Sequence, residues 1–407
     1  MSKSLSPGRR TIALLIESSR AYGRGLLRGI AKYANGPANW ALLHQEWEFD
    51  EKLPAWLVKG SCHGVIARIE TMAQLQALRK LAVPVVDLRG LRRYPGTPLI
   101  ETDDAVVARL AADHLLSRGF RSLGYCGIAG ANYSTNRRKH YVNYLRGVGI
   151  EPLIYEGSAV PRGATTRQRE SEAMFHEQEL GDWLEKLPKP IGMMACNDIR
   201  GRQILSACRD RKITVPNEVA VIGVDNDEVL CDLANPPLSS VILATERIGY
   251  EASELLDRML SGKKPAHELQ LVQPLGIATR RSTDIMAIDD PVTKAALQYI
   301  LENACAGIKV PDVLDFLEKR LPDHSISRST LERKFLNLLG HSPKEEILRI
   351  RIERIRHLLL ETNNSVAKIA SMVGMEHAEH LSTIFKRETG ETPGAYRLRA
   401  TTWHHAQ

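Results

Sequence analysis

The chain has 407 residues, 43% hydrophobic and 25% charged, with a formal net charge of +7. That length is too great for one domain and suits a globular protein of two or three, while no apolar run approaches the ~20 residues of a membrane span. Six cysteines, at 62, 126, 196, 208, 231 and 305, form no C-x-x-C pair, which argues for reduced core residues in a cytoplasm and against a disulfide framework.

Basic residues precede the first apolar stretch, as in a secretion signal, but TIALLI is only six residues long and runs into Glu17 without a small-residue cleavage site. It reads as a buried strand. GLLRGIAKYA then reads as a helix and NWALLHQEW as a strand, followed by strands at GVIARI, VPVVDL, SLGYCGI, IGMMACN and VAVIGVD. Helical segments lie between them: AQLQALRKLA, DDAVVARLAADHLLSRG, DIRGRQILSACRDR and IGYEASELLDRML. Strands alternating with helices of this length predict parallel α/β sheets. The series pauses near Gly119 and restarts at SLGYCGI, which predicts two lobes rather than one broad sheet.

Short strand-to-helix loops put polar residues at the carboxyl ends of strands, where open α/β sheets bind ligands. Asn197 follows GMMAC and Asp225 follows VAVIGV. Each also has a purely structural reading, since Asn197 or Asp198 can cap the helix from Ile199 and Asp225 can close a turn. Ser18, Ser19 and Tyr22 follow the first strand and are candidates from the other lobe. The glycines of YGRGLLRG are spaced G-x-G-x-x-x-G, and five residues separate the strand end from Gly23, so the dinucleotide fingerprint fails. G-x-x-x-x-G-K-[ST] and G-x-S-x-G are both absent, leaving phosphoryl transfer and serine hydrolysis without a handle. No cofactor and no catalytic residue is expected. An NAD-dependent sugar enzyme with an accessory helical domain is the alternative; it would need an acid–base pair that the sequence does not identify.

The last third changes character. Lys309 to Leu317 predicts a supporting helix, and Ser325 to Gly340 a second one capped at Ser327, with Leu331, Phe335 and Leu338 inward and Arg328, Ser329, Thr330, Glu332 and Arg333 outward. SPKEEILRIRIERIRHLLLET follows as a connecting helix, with Leu348, Ile352, Ile355 and Leu359 on one face and Arg349, Arg351, Arg354 and Arg356 on the others. The grammar then repeats. Val366, Ile369 and Ala370 face inward, Gly374 supplies a left-handed turn, and Leu381, Ile384 and Phe385 form the next stripe. His377, Ala378, Glu379, His380 and Thr383 point outward, the positions a recognition helix offers to base edges in the major groove. One such unit alone is equally a generic helical hairpin; two on one rigid helix can present both recognition helices to one face of a duplex. From Pro291 onward there are 17 Lys/Arg against 14 Asp/Glu, so the motifs rather than the charge carry this reading. Seven of the 13 histidines lie here without H-E-x-x-H spacing, which leaves no metal site.

RSTLERKF, RIERIRHLLL, IASMVG, IFKRETG and TPGAYR resemble the DNA-binding domain of the AraC/XylS family of bacterial regulators. EKRLPDHS, from Glu318 to Ser325, is several residues longer than the turn that family has, and Leu321-Pro322-Asp323 is expected to bulge as a loop. LLSRGFRSLGYCG, the run from Asn197 to Glu228, and PPLSSV resemble the effector domain of LacI/GalR regulators and the related periplasmic sugar-binding proteins. That resemblance implies sugar hydroxyls bound by Asn197 and Asp225. It also matches Arg137, in YSTNRRKH, to the arginine that family sets across its cleft. Leu243 stands where sugar-binding relatives often carry a polar contact. The order of sensor and reader, with GYEASELLDRML, RRSTD and NACAGIKV, is similar to the xylose-operon regulators.

The resulting expectation is a two-lobed α/β sensor of the periplasmic-binding type over 10–285, followed by an all-α domain with two helix-turn-helix units over 286–407. Such a chain is a sugar-responsive transcriptional regulator. The partners implied are duplex DNA, a small sugar (D-xylose favoured), a second copy of the chain and RNA polymerase, with no membrane.

Overall fold

The computed structural model describes residues 9–47, 53–58, 60, 62–90, 94–157, 177–265, 267–284, 290–322, 324, 326–362 and 364–401. Two parallel sheets of six strands each form the first part of the chain. The first holds β1 (Thr11–Leu15), β2 (Ala41–Gln45), β3 (Gly64–Ala67), β4 (Val85–Asp87), β5 (Leu99–Thr102) and the late β11 (Leu269–Val272), in the order β11-β5-β4-β3-β1-β2. The second holds β6 (Ser122–Cys126), β7 (Leu153–Tyr155), β8 (Ile191–Ala195), β9 (Val219–Val224), β10 (Ser239–Ile242) and β12 (Gly276–Ala278), in the order β12-β10-β9-β8-β6-β7, with only β12 antiparallel. Strands β1, β8 and β9 are buried throughout, which is why they read as continuous apolar runs rather than alternating ones.

The helices of this part are α1 (Ala21–Asn35), α2 (Ala55–Val58), α3 (Met72–Arg79), α4 (Asp104–Leu116), α5 (Asn132–Gly147), α6 (Glu177–Glu185), α7 (Asp198–Asp210), α8 (Glu228–Leu233) and α9 (Thr245–Leu260). Helix α4 packs Val107, Ala108, Ala111 and Leu115 into the core of the second sheet. The chain therefore changes lobe at Asp103, before that helix, and not near Gly119 as the pause in the pattern suggests. It returns between Ile242 and α9, whose Ile248, Ala252 and Leu256 pack on the first sheet, and crosses again between β11 and β12. Three crossings at one edge make a hinge with a cleft beside it.

Gly23, Gly25 and Gly29 lie inside α1. A Cβ on Gly25 would overlap the Thr245 side chain, one on Gly29 the Glu246 carbonyl, and one on Gly249 the Leu26 carbonyl. Gly25, Gly29 and Gly249 serve close packing of α1 on α9, whereas a Cβ on Gly23 would overlap the Glu17 carbonyl, so these contacts account for spacing that fits no dinucleotide turn.

The last part is helical: α10 (Pro291–Asn303), α11 (Val310–Arg320), α12 (Arg328–Leu339), α13 (Pro343–Glu361), α14 (Val366–Met372), α15 (Ala378–Thr389) and α16 (Pro393–Thr401). Two cores sit at either end of α13. One gathers Leu297, Ile300, Val313, Leu317, Leu331, Phe335 and Ile347; the other gathers Ile352, Ile355, Leu359, Ile369, Leu381 and Phe385. Ser327, Ser342 and Ser365 cap α12, α13 and α14 by accepting backbone N–H bonds at 3.2–3.3 Å. Helix α11 ends at Arg320 ahead of the exposed Pro322, while Asp323 and Ser325 of the expected loop lie outside the described residues, as does the boundary at 285/286.

Candidate functional site

A cavity of about 170 Å³ opens between the lobes. From the second lobe it receives Asp104 from the first turn of α4, Tyr133 and Arg137 from α5, Asn197 and Asp198 from the β8–α7 turn, and Asp225 and Asp227 after β9. The first lobe supplies Ser19, Tyr22, Glu46, Trp47, Arg68, Arg89 and Glu101, among others. Of the residues expected here, Asn197, Asp225, Arg137, Ser19 and Tyr22 line the cavity. Ser18 does not, and its hydroxyl is bonded to Glu46, which does.

Arg137 is the hub. Only 4% of it is exposed, and it donates through Nε to Asp104 Oδ1 at 2.9 Å and through Nη1 to the Cys196 carbonyl at 2.6 Å. Asp225 Oδ1 lies 3.8 Å from the same Nη1. Burial alone would lower the guanidinium pKa, but the carboxylates of Asp104 and Asp225 outweigh it and hold the group above its ordinary value. Burial pushes the Asp104 carboxyl up, with Arg137 restraining it. Asp225 has φ +111° and Asn226 φ +51°, conformations that L-residues seldom adopt and that cluster where side chains are held for a task. Asp198 is buried under them, accepting from Ser240 Oγ at 2.5 Å and from the Asp227 N–H at 2.7 Å. Burial and then the neighbouring Asp225 raise its carboxyl well above the usual range.

Asn197 fulfils the capping role, accepting the Arg200 N–H at 2.9 Å, and donates to the Tyr133 hydroxyl at 3.1 Å while still facing the cavity. Leu243 is buried in the second-lobe core and is not a lining residue. Tyr22 packs against the cores of both lobes, and burial pushes its hydroxyl up to about 12. The Arg68 guanidinium lies 4.9 Å over its ring and is ion-paired with Glu17. Asn132 Nδ2 donates to the Gly90 carbonyl at 3.1 Å and Arg24 approaches Asp227 at 3.6 Å, so polar contacts bridge the lobes at the cleft mouth. The wall is thus a set of oriented donors and acceptors beside the aromatic side chains of Tyr22, Trp47 and Tyr133, suited to a small polyhydroxylated ligand. Sequence reasoning missed Asp104, Arg68, Glu46 and Trp47. Asp104 was reachable by the strand-end rule, because it lies two residues beyond the end of β5.

On the helical part, Arg328, Ser329 and Arg333 are exposed on α12, and Thr330 and Glu332 half-exposed. Arg328 Nε donates to Glu332 Oε1 at 2.9 Å, whereas Arg333 makes no ion pair among the described residues. On α15, Glu379, His380 and Thr383 are exposed and Ala378 half-buried. The inward stripe of α12 is Leu331, Phe335 and Leu339; Leu338 points outward, because the i, i+4, i+8 row is the one facing α10, α11 and α13. Arg351 also departs from expectation. It folds back and donates to the carbonyls of Ala304 and Ile308, both at 2.8 Å, tying α13 to the segment before α11.

Models of known families match three stretches: the XylR N-terminal domain over residues 11–105, a periplasmic binding protein-like domain over 112–283, and a helix-turn-helix domain over 324–399. The xylose operon regulatory protein of Haemophilus influenzae is 31% identical over 394 residues, covering 95% of this chain and 98% of that protein. The Escherichia coli K12 protein of the same name is 31% identical, covering 96% and 97%. A solved structure described as the xylose-binding transcription activator xylR superposes with a TM-score of 0.59 at 30% identity over 96% of this chain and 98% of that one.

Proposed function

Because the chain belongs to the xylose operon regulatory protein family, we propose that D-xylose is the effector of this sugar-responsive transcriptional regulator and that it activates xylose-utilisation genes. The observation that carries the sugar reading is the convergence of Asp225 and Asn197, from the ends of two strands, and Arg137, from helix α5, on one interlobe cavity. An ionised carboxylate such as Asp225 accepts from two adjacent hydroxyls, and Arg137 donates to a third oxygen. Tyr22 and Trp47, which line the same cavity, add aromatic surface beside the C–H groups of the ring. Lobe closure is favoured to the extent that the sugar makes contacts only the closed state offers.

In this reading, residues 10–285 are the sensor and 286–407 the reader. Arg328, Ser329, Thr330, Glu332 and Arg333 meet one stretch of major groove, and Ala378, Glu379, His380 and Thr383 the next, about one helical turn away. The regulator works in the cytoplasm as a homodimer, with RNA polymerase as its further partner. No helix among the described residues is long and apolar enough to cross a membrane.

Calorimetry with D-xylose and its epimers tests the effector. D-xylose is expected to saturate the wild type, and Asp225→Ala to abolish that heat while basal DNA binding persists. An epimer lacking one matched hydroxyl should bind far more weakly, because the cleft's own polar groups are left unpaired. Saturation by another sugar without a response to xylose would overturn the xylose assignment; no response to any sugar would overturn the sensor.

A further inference from the structure

Helix α4 begins in the sugar cleft and ends at the root of the DNA reader. Its first residue, Asp104, lines the cavity and holds Arg137 at 2.9 Å. Its 13 residues span roughly 20 Å at 1.5 Å per residue. At the far end, His114 Nε2 sits 2.8 Å from Thr283 Oγ1, and Arg118 Nε donates to the Thr283 carbonyl at 2.8 Å. Arg118 Nη1 also donates to the His114 carbonyl at 3.1 Å, locking the two clamps together. Thr283 Oγ1 is bonded in turn to Ser239 Oγ at 2.7 Å. Thr283 is fully buried and is the last residue of the 3₁₀ turn Arg281–Thr283, from which the chain departs toward the reader.

The reader touches the same place. Its connecting helix α13 packs against β12 and brings a fully buried carboxylate, Glu346, which accepts from Arg349 Nε at 2.9 Å and Nη2 at 2.7 Å, with His341 Nε2 at 2.8 Å. Arg349 acts electrostatically on Asp113, His114 and Arg118 of the α4 end, and Glu346 and Asp284 act on Arg118. Burial, then Arg118 and Arg349, keep His114 neutral, so it is a fixed hydrogen-bonding link there and not a charge. Tyr144 of α5 donates to Asp113, and Arg109 and Glu353 complete the charged surroundings.

We propose that α4 is the coupling rod between sugar and DNA, with the His114–Arg118 clamp and the Glu346–Arg349 pair as positioning residues that fix the reader on the second lobe. A sugar that engages Asp225 and Arg137 alters the hold of Arg137 on Asp104, and the rod transmits that change to Thr283 and to Arg349. This rests on the cleft being the sugar site. Packed helices move as units rather than bending, and the clamp converts a displacement at one end into a repacking at the other.

The test is Arg118→Gln in the full chain, which touches neither cleft nor DNA face. Xylose affinity by calorimetry and DNA affinity without sugar are expected to stay within about threefold of wild type. The ratio of DNA affinities with and without saturating xylose is expected to fall to about one, from a wild-type ratio in the ~5–150-fold range of allosteric couplings. A folded Arg118→Gln chain that keeps the wild-type ratio overturns the rod. Should that variant unfold, hydrogen exchange on the wild type decides: xylose must change protection at both 113–118 and 341–353, and unchanged protection at either end refutes the proposal. A wild type that binds no sugar overturns the cleft reading, and the rod with it; one that binds xylose but loses no coupling in Arg118→Gln overturns the rod alone.

Discussion

Gly374→Ala separates two effects that a left-handed glycine can combine. Gly374 has φ +68° and Gly340 φ +81°, each ending a helix of a helix-turn-helix unit. The backbone term is similar for both, about 1–2 kcal/mol for placing a Cβ in the left-handed region. Around Gly340 there is open space, since no atom lies within 4 Å of where its Cβ would be. At Gly374 that Cβ would fall on the backbone N and Cα of Gly307 and 3.0 Å from the Cys305 carbonyl oxygen. Backbone cannot rotate aside as a side chain can, so an overpacking cost of about 1–3 kcal/mol or more is added. Gly374→Ala is therefore expected to destabilise the reader by roughly 2–5 kcal/mol, and Gly340→Ala by about 1–2 kcal/mol. Because Gly307 precedes α11, the clash is shared by both reading units, and specific DNA binding should fall with it while xylose affinity stays intact. Urea unfolding of the full chain, with a gel-shift titration and xylose calorimetry on each variant, measures all three. Equal destabilisation by the two substitutions would refute the close contact between the Gly374 turn and the Gly307 segment.

Arg333→Ala should cost about 1–3 kcal/mol on the operator and relax the preference at one base position, as expected for a bidentate guanine contact; equal loss on random duplex would reassign it to phosphate. Glu346 is held at about 2 because, although burial alone would raise its carboxyl, the Arg349 and His341 contacts outweigh it. Its folded pKa lies below the unfolded value of 4.5, so its stabilisation is present above that value and is lost as pH falls from about 5 toward 2. Glu346→Gln should remove about 3 kcal/mol at pH 7 and flatten the acid limb of the stability curve; an unchanged limb would show the buried ion pair to be absent in solution. DNA affinity should fall steeply with salt as counterions are released, with a shallower slope for any variant that removes a phosphate contact.

The two-part organisation was legible in the sequence because its signals are local. Apolar runs such as VAVIGV become strands buried on both faces, and the polar residue that ends each run, Asn197 or Asp225, is delivered to the cleft edge by chain direction alone. Ser327, Ser342 and Ser365 cap their helices through atoms three residues away, and Gly374 turns the chain by its own φ, so the reading units needed no distant partner to be recognised. Other features depend on contacts between residues far apart in the chain. Periodicity leaves Leu338 and Leu339 both near the edge of the apolar stripe, and only the helices packed against α12 select Leu339. The return of β11 to the first sheet, the lobe crossing at Asp103 and the backward fold of Arg351 onto Ala304 and Ile308 likewise carry no local mark. Arg137 meets Asp104 from 33 residues away and His114 meets Thr283 from 169. Such buried polar groups take whichever partner the packed lobes bring within hydrogen-bonding distance, because leaving them unpaired away from water costs too much. Tertiary structure therefore decided how cleft and reader are joined, whereas local sequence had already determined what each of them is.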